Sequence, residues 1–180
     1  MGSWEKSLDD LIAGNERFVN GTFCSDRSYD AQRRNLLEEG QHPLAIVVCT
    51  SDSYMPPELV FDADLGDLYV MRMPDLEVNR SVLEGISFAV EKLAIPLCVI
   101  LTHEARKGDP ETEEEGFWQS LLRSNGEDAE NEEEVIKSCV QKVRDYAPLE
   151  GKIERGEFFV VGAKYDLESG SVTIFDFLSE

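Results

Sequence analysis

The chain has 180 residues, 42% of them hydrophobic and nine of them Phe, which is enough apolar material for one domain with one sizeable core. Its 37 acidic residues against 17 basic ones give a formal charge of -20, which repels nucleic acid and anionic membrane at long range, so neither is an expected partner. Four widely spaced cysteines without a Cys-x-x-Cys pair argue against a disulfide scaffold, and no apolar stretch reaches the length needed to cross a bilayer.

The start, Met1-Gly2-Ser3-Trp4-Glu5-Lys6, lacks the apolar core of a secretory signal, so a cytoplasmic protein is the expectation. Ser3 or Ser7 is a candidate cap for a first helix running through Leu8, Leu11 and Ile12 toward Phe18, and Asn20-Gly21 breaks it. A second helix is predicted over residues 29–39, with Leu36 and Leu37 on its buried side and Gly40 as its stop. Residues 43–49 form an almost unbroken apolar run, the pattern of a strand covered on both faces; Cys49 in it and Cys98 further on read as small core residues. Pro57 suits the first turn of a helix continuing through Leu59, Val60 and Phe61.

Residues 67–72 read as the second strand, and 81–92 as a helix with Val82, Ile86, Ala89, Val90 and Leu93 at helical spacing. The third strand covers 96–101. This alternation predicts right-handed βαβ units and a mainly parallel sheet. Residues 108–134 are rich in Glu, and Phe117, Trp118, Leu121 and Leu122 predict a short helix there, broken at Asn125-Gly126. The next helix carries Val135, Ile136, Cys139, Val140 and Val143 along one side, and residues 158–163 and 172–177 are the last two strands, with Ser169-Gly170 at the turn between them. There is neither an internal repeat nor an inter-domain linker.

Two polar segments each follow an apolar strand: Thr50-Ser51-Asp52-Ser53-Tyr54, and His103-Glu104-Ala105-Arg106. Both fall at strand ends, where open α/β sheets form their binding crevices. Neither carries the glycine pattern of a phosphate-binding loop. Ser51, Ser53, Asp52 and His103 hold the residue types of a hydrolase triad, but sequence alone does not set the mutual geometry a triad requires.

Several segments, taken in order, resemble the β-class carbonic anhydrases. They are Leu11-Ile12-Ala13-Gly14-Asn15-Glu16-Arg17-Phe18, Ser51-Asp52-Ser53, Pro56-Pro57-Glu58, Gly66-Asp67-Leu68-Tyr69-Val70-Met71-Arg72 and Val161-Gly162-Ala163-Lys164-Tyr165-Asp166. The resemblance implies a single α/β domain over residues 1–180, with a central mostly parallel sheet flanked by helices. Residues 1–40 would form an N-terminal helical arm on a 41–180 core, in a homodimer or higher homo-oligomer. It also implies zinc held by a cysteine, a histidine and a second cysteine. Matched by motif, Thr50 stands at the first cysteine position, His103 at the histidine and Arg106 at the second cysteine, while Tyr54 replaces the arginine that pairs with Asp52.

A threonine hydroxyl holds zinc poorly, and guanidinium has a fixed charge and no lone pair to give. Without zinc, water loses the Lewis acid that lowers its pKa toward 7, so ordinary zinc-dependent carbonate dehydratase activity is not expected. The reading is therefore a pseudoenzyme without canonical zinc catalysis, binding a small anion or acting as a regulatory or structural dimer with a vestigial pocket; the candidate pocket is Thr50, Asp52, Tyr54, His103 and Arg106, with no metal cofactor. Arg106 pairs with Asp52 in one version; in another it binds a small anion such as bicarbonate or sulfate with His103; in the plainest it extends to solvent. The alternative is an enzyme, acting without a metal on a small polar substrate or with zinc relocated to Cys49, Asp52 and His103. The relocated site needs a bulge or a register change, because a one-residue shift on a strand turns a side chain to the other face.

Overall fold

The structure is a computed structural model and describes residues 3–24, 29–51, 54–103 and 132–175. In chain order the elements are α1 (Ser3–Asn20), α2 (Tyr29–Glu39), β1 (Ala45–Thr50), α3 (Pro57–Val60), β2 (Leu68–Met73), α4 (Arg80–Lys92) and β3 (Leu97–His103). They continue with α5 (Glu132–Arg144), α6 (Ala147–Glu154), β4 (Phe159–Tyr165) and β5 (Val172–Phe175). The five strands make one sheet in the order β2-β1-β3-β4-β5. β1 runs parallel to β2 and β3, β3 runs parallel to β4, and only the β4–β5 hairpin is antiparallel. The mostly parallel sheet flanked by helices is the fold expected from the alternation of patterns.

Strand pleating divides the core in two. Ile46, Val48, Cys98, Ile100 and Val160 face α4 and α5, where Val82, Ile86, Ala89, Val90, Ile136, Val140 and Val143 close over them. Ala45, Val47, Cys49, Val99, Leu101 and Val161 face the other way, toward Leu11 of α1 and Val60 and Phe61 at α3. Both faces of β1 and β3 are dry, which is why their sequences are continuous in apolar residues. Burying each Val, Leu or Ile contributes about 1.5–3 kcal/mol relative to leaving it exposed.

Helix ends follow local chemistry. The Asn79 side chain accepts from the Ser81 and Val82 amides at 3.0 and 3.2 Å, capping α4. Gly40, at φ +80°, donates to the Leu36 carbonyl at 3.0 Å and ends α2. α1 docks through its small and polar residues. A Cβ on Gly14 would lie 1.9 Å from the Phe61 carbonyl oxygen. Beside it, buried Asn15 donates to the carbonyls of Val60 (3.1 Å) and Gly170 (2.9 Å) and accepts from the Val172 amide (2.8 Å). One side chain thus ties α1 to α3 and to the β4–β5 hairpin.

Some sequence expectations need correction. Leu37 is 74% exposed, whereas Leu36 packs against Gly66, because neighbours on a helix point about 100° apart. Val135 is exposed for the same reason, Ile136 taking the buried side of α5. Ser7 lies inside α1, buried, so it does not cap the helix. α3 is a single turn: it stops at Val60, and Asp62 takes a positive φ of 45°. α6 was not anticipated. The expected helix at 117–122, the break at Asn125-Gly126, and residues 176–177 of the last strand lie outside the described residues.

Candidate functional site at the strand ends

β1 and β3 are adjacent and parallel, so Thr50 and His103, their last residues, end on the same edge of the sheet. The register pairs Cys49 with Leu101 across the two strands and Thr50 with Met73 of β2. Beyond Thr50 the pairing continues for one more bond, the Ser51 amide donating to the Met73 carbonyl at 2.8 Å. Arg72 Nε donates to the Thr50 carbonyl at 3.3 Å, which brings a guanidinium to this strand end.

The Thr50 side chain is the unusual group. Its hydroxyl oxygen is shielded from solvent and makes no hydrogen bond among the described residues. A buried hydroxyl in that state costs about 1–3 kcal/mol. By pleat alternation Thr50 belongs to the face of Ile46 and Val48, whereas Cys49 is fully buried on the face of Ala45 and Val47. His103 follows Leu97, Val99 and Leu101 in phase, so it shares the face of Cys49 and leaves the sheet opposite to Thr50. It is half-buried and in register with Tyr165, the last residue of β4, whose hydroxyl pKa is pushed up by burial and then by Asp166. Sequence reading missed Tyr165 as a neighbour of the site, although the β4 pattern ended near the matching point.

Tyr54 is 55% exposed, and Met55 beneath it is fully buried, so Met55 rather than Tyr54 fills the apolar space before α3. Asp52, Ser53 and Arg106 lie outside the described residues. Among the described residues no three His, Cys, Asp or Glu side chains converge as a metal-ligand set. A groove of about 260 Å³ lies elsewhere, between α1 and β5, lined by Ile12, Val19, Phe61, Val172 and Ile174.

A family model described as carbonic anhydrase matches residues 45–109, a span that contains both strand ends. Carbonic anhydrase 2 of Mycobacterium tuberculosis is 38% identical over 95 residues, which is 53% of this chain and 45% of that protein. The solved β-carbonic anhydrase CcaA superposes with a TM-score of 0.59 at 23% identity, over 94% of this chain and 95% of that one. The chain resembles carbonic anhydrases in sequence over residues 45–109 and shares the fold of the β-class enzymes. It spans about half the length of the first curated relatives it matches. One of two tetrameric β-carbonic anhydrases from Sordaria macrospora shares the fold, with a TM-score of 0.57 at 16% identity, over 96% of this chain and 95% of that one. The family match and the shielded Thr50 hydroxyl fall on the same strand end.

Proposed function

We propose that this β-class carbonic anhydrase homologue has lost the family's zinc catalysis and acts as a homo-oligomeric, cytoplasmic pseudoenzyme binding a small anion such as bicarbonate or sulfate. The observation that carries the reading is the buried hydroxyl of Thr50, unpartnered among the described residues, at the position of the family's first cysteine. That donor set does not fit zinc. Thr50 offers a neutral hydroxyl, His103 one imidazole, and Arg106 a guanidinium that cannot coordinate. The same groups suit an oxyanion: a hydroxyl donates one hydrogen bond, and guanidinium supplies charge with paired donors.

Oligomerisation is supported by the tetrameric assembly of the Sordaria macrospora proteins and by exposed apolar residues along α1, with Ile12 at 40% and Val19 at 45% exposure. Because α1 also supplies Leu11 to the protomer core, charge substitutions at Ile12 and Val19 probe assembly more cleanly than deletion of the helix.

A relocated metal at Cys49, Asp52 and His103 is the second reading, favoured by Cys49 and His103 sharing a sheet face. The complete burial of Cys49 among apolar residues weighs against it. Stopped-flow carbon dioxide hydration in zinc-supplemented buffer tests the proposal. No acceleration over buffer is expected, and zinc-dependent turnover would contradict it.

A further inference from the structure

The groove between α1 and β5 and the outer face of α2 are complementary in shape and charge. On α1, Asp9, Ile12, Glu16 and Val19 are all exposed and fall three or four residues apart, so acidic and apolar groups alternate along one stripe. The groove beside it has a volume of about 260 Å³, with Phe61, Val172 and Ile174 in its lining. Small-molecule pockets run to roughly 300–1,000 Å³, so this one suits a single inserted side chain better than a ligand. Among the described residues Glu16 is the one ionised side chain that lines it. Asn15, also in the lining, uses both amide hydrogens on the Val60 and Gly170 carbonyls and its oxygen on the Val172 amide. A fitting occupant brings an apolar side chain and a cation.

The outer face of α2 has both. Leu37 is 74% exposed, and Arg33 and Arg34, four and three residues before it, are exposed beside it. The opposite side of α2 holds the helix to its own protomer, Gln32 donating to Asp64 at 2.7 Å and Leu36 packing against Gly66. Leu37 therefore adds nothing to the protomer core. Two chains of charge -20 repel each other, so a contact between copies needs cations set against carboxylates.

We infer that α2 of a second copy docks in this groove: its Leu37 enters between α1 and β5, and its Arg33 and Arg34 lie against Glu16 and Asp9. Docked reciprocally, each copy giving its α2 and receiving the other's, the contact closes at two. This rests on the homo-oligomer reading above and names the surfaces that meet.

Sedimentation equilibrium at several loading concentrations tests it. The proteins compared are wild type, Leu37→Glu, Glu16→Arg, the pair Arg33→Glu with Arg34→Glu, and all three charge reversals together. These side chains are exposed, so every variant should keep the far-UV circular dichroism of wild type. Wild type is expected to form a dimer or a multiple of one. Leu37→Glu and each one-sided reversal should weaken association by about tenfold or more, and the combined reversal should recover most of that loss. Association left unchanged by Leu37→Glu and by the one-sided reversals would overturn this contact while leaving oligomerisation to another surface. Weakening that the combined reversal does not recover would overturn the pairing of the arginines with Glu16. Wild type that stays monomeric throughout would overturn both this inference and the homo-oligomer reading.

Discussion

Cys49 and Thr50 are neighbours at the end of β1, yet they project to opposite faces of the sheet. Cys49 is sealed in the apolar layer beneath α1, and Thr50 carries a shielded hydroxyl with no partner among the described residues. A thiol one residue away therefore does not substitute for a thiolate at Thr50. The strand would have to bulge to exchange them, and its pairing runs unbroken from Ala45–Leu68 to Thr50–Met73.

Restoring the ligand residue types should not by itself restore metal binding, because Thr50 and His103 leave the sheet on opposite faces. The double variant Thr50→Cys, Arg106→Cys, with His103 retained, is expected to take up no more zinc per chain than wild type, read by a chromophoric chelator after denaturation. Uptake close to one zinc per chain would contradict this placement of the two strand ends.

The junction of α1 with the sheet should be fragile. Asn15→Ala removes three hydrogen bonds and leaves the Val60 and Gly170 carbonyls and the Val172 amide without their partner, so a loss of about 2–4 kcal/mol is expected in urea denaturation. Gly14→Ala drives a methyl into the Phe61 carbonyl and should cost about 1–3 kcal/mol by overpacking. Losses below 0.5 kcal/mol, on the order of an ordinary surface substitution, would contradict this packing.

Thiol reactivity should separate the cysteines. Cys24 is exposed, whereas Cys49, Cys98 and Cys139 are buried. Burial also pushes the thiols of Cys98 and Cys139 up, away from the reactive thiolate. A chromogenic disulfide reagent should label Cys24 quickly in the native protein and the other three only on unfolding. Rapid native labelling of Cys49 would place it at an open site.

At the β4–β5 turn the Asp166 carboxylate accepts from the Ser169 amide at 2.6 Å and its hydroxyl at 2.7 Å, which lowers its pKa below the ordinary carboxylate value. A lowered folded pKa gives stability that is present above the unfolded carboxylate pKa and is lost as pH falls through the folded value. A carboxyl-carbon NMR titration should show the low midpoint. Ser169→Ala, which keeps the larger backbone contribution, should raise that midpoint only part of the way; an unchanged midpoint would remove the hydroxyl from the account.

Much of this architecture was legible because burial on both faces leaves a direct trace: β1 and β3 are apolar without a break, and α4 repeats its buried residues at helical spacing. α6 left almost no trace, since only Leu149 is buried in a short segment holding Pro148 and Gly151. The site was legible in position, from polar segments following apolar strands. The shielding of the Thr50 hydroxyl was not, because it depends on packing around the end of β1 rather than on neighbours in sequence. Asn15 looked like any polar helix residue, and its burial between α3 and the hairpin comes from contacts as far away as Gly170 and Val172.

The most direct measurement is the metal content of the untagged, purified protein by inductively coupled plasma mass spectrometry after exhaustive dialysis against metal-free buffer. Near-zero zinc and other transition metals per chain is the expected result for a strand end that presents a threonine in place of a thiolate. A value near one per chain would contradict the loss of zinc chemistry and make Cys49, Asp52 and His103 the first ligands to substitute.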